Sequence, residues 1–376
     1  MTIEMEDVDG LLAEVAIFAR ERIAPGSERP EIPVSLDVLL ALSNEASEMG
    51  LLPLGQEEPG FSLWEDVTGS GAMAFNMGLL RHVGRANAGL AFAWHRYALA
   101  RHVMSALGIR AEKATVLDTT LLSTGHYGLA QASLGQYLAG ECSGEDKPKL
   151  QDWLDRQSKP GVLTAVPVWQ SVLWPVWQEG RIGWQLAPRS RMQVETLSSQ
   201  HGFDDLSSFR IQLEPMADVP VHVVPRDDGM FYARVLMLDM LGLLAIGAGA
   251  LARAQDMTVD FTSVRRQGGK VIAGHAAVQQ MLGELEMAVQ QADAGIQRLS
   301  RPLDRLSMRE VASARATTHA LLCHAANQAV QAHGGLGYMR DLGAEKIVRD
   351  QNMLKLQAGG TRELPLLLAG LGEVQA

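Results

Sequence analysis

Three glycine-rich segments with basic or polar neighbours carry most of the chemical information in this chain of 376 residues. They are residues 265–270 (RRQGGK), 331–338 (QAHGGLGY) and 359–364 (GGTREL). Glycines between helices let a backbone approach a ligand closely, and free N–H groups beside an arginine suit a pyrophosphate group. Turns that only cap helices have a similar composition, so the residue types alone leave both interpretations open.

A single acidic residue, Asp239, interrupts an apolar run at residues 235–252 (VLMLDMLGLLAIGAGALA). The run has the length of a membrane-spanning helix, but the aspartate, three glycines and the lack of a second such run favour a buried core helix. A buried carboxyl group has a raised pKa, which makes it a better proton acceptor, so Asp239 is a candidate catalytic base. The structural alternative is an ion pair with an arginine such as Arg234.

The composition argues against several classes of protein. With 33 basic and 43 acidic residues the net charge is −10, and no basic patch indicates a nucleic-acid partner. The ten histidines lack metal-ligand spacing, and two cysteines are too few for a disulfide framework, so no metal site is predicted. The N-terminus is acidic, unlike a secretory signal, and we expect a soluble cytoplasmic protein that binds no membrane.

The spacing of apolar residues predicts three domains. Residues 1–155 are rich in alanine and leucine at three- and four-residue steps, which indicates an N-terminal helical domain. Residues 156–228 hold short β-branched segments between Pro, Gly and Asp, which indicates a middle antiparallel β domain. Residues 229–376 return to the helical period and predict a C-terminal bundle. The segments expected to form strands are GVLTAVPV, RIGWQLAP, RMQVETL, FRIQLEP and VPVHVVP.

Four motifs, taken in order, resemble those of the acyl-CoA dehydrogenase family. They are RxxGGKxIA from Arg265, QxHGGxGY from Gln331, the pair Arg349-Asp350, and GGTxE from Gly359. The family shows RxxFGxxI, QxxGGxGY, RD and EGTxE at comparable spacing. The resemblance covers nearly the whole chain. It implies a mainly α fold with an N-terminal helical domain, a middle antiparallel β domain and a C-terminal four-helix bundle, assembled as a homo- or hetero-tetramer.

The resemblance also implies FAD as the cofactor, bound between the β domain and the bundle at a subunit interface. In the family, the arginine of the first motif holds the FAD pyrophosphate, and the loop of the second motif approaches the adenine half. The tail of the last motif is similar to residues that touch FAD. The residues implied to bind the cofactor are therefore Arg265, Gln267, Gln331, Gly334, Gly335, Thr361 and Glu363.

The reaction implied is that of an oxidoreductase of fatty acid metabolism. A fatty acyl-CoA is oxidised between its α and β carbons. A carboxylate takes the α-proton while a hydride passes from the β-carbon to the flavin. An electron-transfer flavoprotein then reoxidises the reduced flavin, so the resemblance implies an acyl-CoA substrate and that flavoprotein as a partner.

The sequence departs from the family at several positions that matter for catalysis. The glutamate of EGTxE, a common catalytic base, is replaced by Gly359, which has no side chain. A TEPxxGSD-like segment is lacking, and its nearest counterpart is residues 165–172 (AVPVWQSV). The aromatic residue of RxxFG is Gly268, and the glutamine usual before the next helix is Ala276.

Four hypotheses accommodate these departures. Some family members place the base near the start of the first bundle helix, where Asp239 falls. Alternatively, the chain is a non-catalytic companion subunit of a heteromeric acyl-CoA dehydrogenase, and it completes the partner's FAD site with Arg265 and the loop after Gln331. A third hypothesis is a non-oxidative elimination on an acyl-CoA by the same fold. A fourth is a helical scaffold without a cofactor.

Overall fold

The computed structural model describes residues 4–53, 61–109, 120–122, 132–140, 145, 147–155, 161–214, 218–224, 230–360 and 362–372. The N-terminal part of the described chain is helical, as the apolar spacing predicts. The helix formed by Ala88–Ala106 is buried along most of its length. Asn87 caps this helix by accepting a hydrogen bond from the N–H of Leu90 at 2.8 Å. The helices are α1 (Met5–Phe18), α2 (Leu36–Glu48), α3 (Ser70–Ala86), α4 (Ala88–Ala106), α5 (Ala132–Leu138) and α6 (Lys147–Asp155).

Two small sheets form the middle of the chain. One has the strand order β1-β3-β4-β7 and the other β2-β6-β5, and every pairing is antiparallel except β1 with β3, which is parallel. A separate apolar cluster that includes Trp169, Trp174 and Phe209 fills the space between the sheets. The strands are β1 (Thr120–Leu122), β2 (Gly161–Ala165), β3 (Ser171–Gln178), β4 (Arg181–Pro188), β5 (Met192–Thr196), β6 (Ser207–Leu213) and β7 (Val221–His222).

The five predicted strand segments all contain strands, but the sequence did not predict β3. This strand contains Pro175, which lacks an N–H group and argues against a strand within a sheet. It pairs with β4 through a two-residue turn, Glu179 and Gly180, whose φ angles are +48° and +87°. Strand β1 was also missed, and it precedes residue 156, so the sheet with β3 is not built from the predicted middle domain alone.

The C-terminal part is a bundle of the four helices α7, α8, α9 and α10, with a short hairpin after α7. Its first helix, α7, also packs against α3 and α4, so it joins the bundle to the N-terminal helices. Gly249 makes this contact possible, since a Cβ atom there would clash with the carbonyl oxygen of Arg81. The elements are α7 (Phe231–Val264), β8 (Arg266–Gln267), β9 (Lys270–Val271), α8 (Ala276–Leu299), α9 (Met308–Ala332), α10 (Ala344–Leu356) and α11 (Glu363–Gly370).

The apolar run around Asp239 lies within α7. The helix is long and apolar enough to cross a membrane, yet its most apolar stretch is completely buried inside the protein. This position confirms the prediction of a core helix.

The Arg349-Asp350 pair on α10 holds the loop before β6 against the bundle. The N–H of Phe203 donates a hydrogen bond to Oδ1 of Asp350 at 2.7 Å, and Nη1 of Arg349 donates to Oδ1 of Asp204 at 2.6 Å. Lys346 forms an ion pair with Asp350 at 2.9 Å. The third motif therefore has a structural role, because it joins the sheets to the helices that carry the first two motifs.

Candidate functional site

A cleft of about 590 Å³ opens between the end of α7, the start of α8 and the turn after α9. It brings together five of the seven residues predicted to bind a cofactor: Arg265, Gln267, Gln331, Gly334 and Gly335. Side chains that the sequence did not predict for the site complete the lining, and they include Phe261, His275, Val278 and His333.

Local backbone structure places Arg265 in the lining of this cleft. Arg265 ends α7, and its N–H donates to the carbonyl of Phe261 at 3.0 Å. The chain then turns back through Gly268 and Gly269, whose φ angles are +58° and +80°. Within the described part of the chain, the exposed guanidinium of Arg265 has neither a hydrogen bond nor an ion pair, so it is available to an anionic ligand.

The end of α9 and the turn after it form another part of the lining. A capping box between Ser307 and Glu310 starts α9, and Gly334, with a φ angle of +60°, follows its last turn. No atom lies within 4 Å of the position that a Cβ would take at Gly334 or Gly335, so a ligand can approach the backbone closely there. Gln331 lies in the same part of the lining and donates from Nε2 to the hydroxyl of Tyr338 at 2.7 Å.

Two histidines line the cleft in fixed orientations. Nε2 of His275 donates to the carbonyl of Gln267 at 3.1 Å, which ties the start of α8 to the hairpin. The ring of His333 packs on Phe261 with a centroid distance of 4.7 Å. Phe261 precedes Arg265 by one helical turn and His333 is part of the second motif. A search for aromatic residues one turn before the first motif could have found Phe261, and the imidazole inside the second motif was a signal for His333.

The predicted base, Asp239, is not part of the lining of this cleft. None of its side chain is exposed. Its Oδ1 lies 3.0 Å from Nε2 of His95, and its Oδ2 lies 3.1 Å from Nη1 of Arg96, both on α4. Asp239 and Arg265 are about 39 Å apart along α7, at 1.5 Å per residue. Among the described residues, Asp239 is fully buried and paired with His95 and Arg96, and this placement does not support its assignment as a base.

The hydrogen bonds around His95 define its protonation state. The indole Nε1 of Trp64 can only donate, and it lies 2.9 Å from Nδ1 of His95, so Nδ1 is the acceptor. The proton then resides on Nε2, which donates to Asp239. Burial lowers the pKa of His95, while Asp239 acts in the opposite direction. His95 is thus a neutral donor, and Arg96 is the counter-ion of Asp239.

Two buried arginines, Arg96 and Arg315, hold the segment that precedes the last motif. Nη2 of Arg96 donates to Oε1 of Gln357 at 3.2 Å. Nη2 of Arg315 donates to the carbonyls of Leu354 at 2.5 Å and Gln357 at 3.0 Å, and burial lowers the pKa of Arg315 to about 10. Gly359 follows with a φ angle of +85°, a conformation in which a glutamate would be strained.

The remaining two predicted residues are not part of the described cleft. Oε2 of Glu363 accepts a hydrogen bond from the N–H of Gly360 at 3.2 Å, so the side chain of Glu363 is bound to the turn that precedes α11. Thr361 lies outside the described residues.

Comparison with known proteins agrees with the fold and with the motifs. The model of the acyl-CoA dehydrogenase C-terminal domain matches residues 229–370. The matched part of the chain is similar to the C-terminal domain of the acyl-CoA dehydrogenase family. A probable acyl-CoA dehydrogenase of Bacillus subtilis, YngJ, is 27% identical over 131 residues, which is 34% of each chain. The match thus spans about a third of the length of that curated relative.

Solved structures of acyl-CoA dehydrogenases share the fold over nearly the whole chain. Butyryl-CoA dehydrogenase from Megasphaera elsdenii has a TM-score of 0.69 at 14% identity and covers 98% of this chain and 99% of its own. Glutaryl-CoA dehydrogenase from Mycobacterium smegmatis in complex with FADH2 has a TM-score of 0.65 at 11% identity, with 98% and 94% covered. The predicted fold of an acyl-CoA dehydrogenase is therefore confirmed.

Proposed function

We propose that this chain is a subunit of an FAD-dependent acyl-CoA dehydrogenase, which oxidises an acyl-CoA thioester between its α and β carbons. The observation that carries the proposal is the cleft at Arg265, where four other predicted cofactor residues meet beside its guanidinium, which has no partner among the described residues. A relative of the same fold has been solved with FADH2. When bound, FAD supplies the hydride acceptor for the reaction.

The residues of the cleft fit the anionic half of this cofactor. Arg265 can form two parallel hydrogen bonds to phosphate oxygens. The open space at Gly334 and Gly335 allows phosphate or sugar to lie directly on the backbone. Gln331 adds an amide beside them in the same part of the lining. Together these groups bind and orient the nucleotide, and the described part of the cleft offers no carboxylate that could take the α-proton of a substrate.

We further propose that this chain is the companion subunit of a heteromeric enzyme, and that a partner subunit supplies the carboxylate that removes the α-proton. Two observations favour this role over catalysis by the chain alone. Gly359 stands at the usual position of the base and has no side chain. The alternative base, Asp239, has no exposed surface and is paired with His95 and Arg96.

Exposed apolar residues next to the cleft residues support an assembly with a homologous subunit. Val264 is 75% exposed, Tyr338 62% and Met339 54%. Covering such side chains stabilises a complex. We expect a tetramer in which the partner subunit closes the cleft and an electron-transfer flavoprotein accepts the electrons.

The proposal is tested by flavin content. The full chain is purified alone and after co-production with a homologue that carries the glutamate, and bound flavin is measured per mole of chain. We expect co-production to raise both the yield of the chain and its flavin content. If the two proteins do not associate and flavin content stays unchanged, the companion role is wrong. If neither preparation binds added FAD, the cofactor site is wrong as well.

A further inference from the structure

His333 is the most buried polar side chain of the Arg265 cleft. It is the residue at which α9 ends, between Gln331 and Gly334, and its side chain lines the cleft although only 4% of the residue is exposed. Phe261, which packs on its ring, lies one helical turn before Arg265, so both residues belong to the same face of α7. His333 therefore lines the same cleft as Arg265, and it is adjacent in sequence to Gly334.

The hydrogen bond of Nδ1 fixes the tautomer of His333. Nδ1 lies 2.7 Å from the carbonyl oxygen of Ala329, which can only accept, so Nδ1 carries the proton. In the neutral ring, Nε2 then has a lone pair and acts as an acceptor. Among the residues that the structure describes, no group donates to this buried nitrogen. A buried acceptor without a partner costs free energy, which a donor from outside the chain would recover.

We propose that Nε2 of His333 accepts a hydrogen bond from a hydroxyl or amino group of the nucleotide that the cleft binds. The inference rests on the proposed function. An acceptor nitrogen forms no hydrogen bond with a deprotonated phosphate oxygen, which also accepts, so His333 in this role does not share the phosphate with Arg265. It instead selects the donor-bearing part of the ligand, which is the ribose with its hydroxyls or the adenine with its amino group. His333 is thus a positioning residue that sets how the nucleotide lies relative to Arg265.

Two substitutions separate the acceptor from the packing of the ring. His333→Asn keeps an amide N–H that can reach the carbonyl of Ala329 and removes the acceptor at Nε2. His333→Phe keeps an aromatic ring on Phe261 and removes both polar atoms. Titration calorimetry of the full-length protein with ADP is the readout, and unchanged thermal midpoints would show that both variants fold. We expect both variants to bind ADP about 5- to 10-fold more weakly than the wild type.

Two analogues identify the donor. Wild type is titrated with 2′-deoxy-ADP, which lacks a ribose hydroxyl, and with inosine diphosphate, which lacks the amino group. We expect the wild type to bind one of the two analogues as weakly as His333→Phe binds ADP. The affinity for that same analogue should not fall further in His333→Phe.

The outcomes of this experiment are distinct. If Arg265→Met weakens ADP binding but both His333 variants match the wild type, the inference on His333 is wrong and the cofactor cleft remains. If the wild type itself does not bind ADP, the proposed cofactor site fails, and the role of His333 fails with it.

Discussion

Nε2 of His95 lies 3.0 Å from Oδ1 of Asp239, and neither side chain has any exposed surface. Trp64 on one side and Arg96 on the other complete a continuous buried chain of polar contacts between α4 and α7. Asp239, which interrupts the apolar run, is therefore paired with side chains of its own chain. It joins the N-terminal helices to the bundle, and this structural role is sufficient to explain an aspartate in an apolar helix.

Asp239→Asn tests this role against catalysis. The substitution leaves the guanidinium of Arg96 buried without a counter-ion, so we expect the free energy of unfolding to fall by about 3–5 kcal/mol. Urea denaturation followed by circular dichroism measures the change. A catalytic base would give a different result, namely a variant of normal stability that keeps flavin and loses turnover.

Asp256→Asn is the matched control for that experiment. Asp256 also pairs with an arginine of the N-terminal helices, Arg85, but both side chains are nearly half exposed. Exposed ion pairs contribute little to stability. We expect only a small change, and a loss as large as that of Asp239→Asn would show that burial is not the cause.

Arg265→Met should weaken the binding of ADP or FAD by about 10- to 100-fold, because a charge-assisted pair of hydrogen bonds to phosphate is lost. The neighbouring Arg266→Met is the control, since Arg266 is absent from the lining of the cleft. Equilibrium binding to the purified protein provides the measurement. Equal effects of the two substitutions would indicate a general charge effect and would contradict a specific site at Arg265.

The surroundings of two glycines in the bundle predict opposite effects of a Gly→Ala substitution on the stability of the protein. At Gly249 an added methyl group would clash with the backbone of Arg81, so Gly249→Ala should destabilise the protein by about 1–3 kcal/mol or more. At Gly283 on α8 no atom lies within 4 Å of the added group. Gly283→Ala should stabilise the protein by about 0.5–1 kcal/mol through helix propensity. Thermal denaturation of both variants checks the prediction, and similar effects would contradict the close packing of α3 on α7.

His319 makes stability depend on pH. It is fully buried on α9, neither ring nitrogen has a partner among the described residues, and burial holds its pKa well below 6.5. Below pH 6.5 the unfolded chain binds a proton at this residue that the folded chain does not, so stability falls as the pH falls. We expect His319→Gln to reduce this slope by up to about 1.4 kcal/mol per pH unit.

Denaturation curves at several values between pH 5 and pH 6.5 measure the slope. His324→Gln, which changes an exposed histidine on the same helix, should leave it unchanged. An identical slope in wild type and His319→Gln would contradict the burial of a neutral imidazole.

Much of the architecture could be predicted from the sequence, because helices and strands show their periods directly. The apolar spacing located α4, α7 and α9, and the alternating segments located most strands. The sequence did not predict strand β3 because it contains Pro175, and proline is unfavourable within a sheet. The pairing with β4 forms the strand despite this local preference. The parallel strand β1 was missed because its partner lies about fifty residues away, and no local pattern reports such a pairing.

The residues of the candidate site also fall into those whose location could be predicted from the sequence and those whose location could not. The common location of Arg265, Gln331 and the glycines in one cleft could be predicted, since the order and spacing of their motifs match those of the family. The partners of Asp239 could not be predicted, because His95 and Arg96 are 144 and 143 positions away in the chain and only the packing of α4 on α7 brings them close. A carboxylate in an apolar helix looks the same in sequence whether it faces a substrate or an arginine.

The most direct test of the companion role is the bleaching of bound flavin by acyl-CoA esters under anaerobic conditions. Visible absorption is recorded for the chain loaded with FAD alone and for its complex with a glutamate-bearing homologue. We predict that the complex is bleached and that the isolated chain is not, because neither Gly359 nor the sealed Asp239 can remove the α-proton. Bleaching of the isolated chain at a catalytic rate would show that it carries a base of its own and would contradict the companion role.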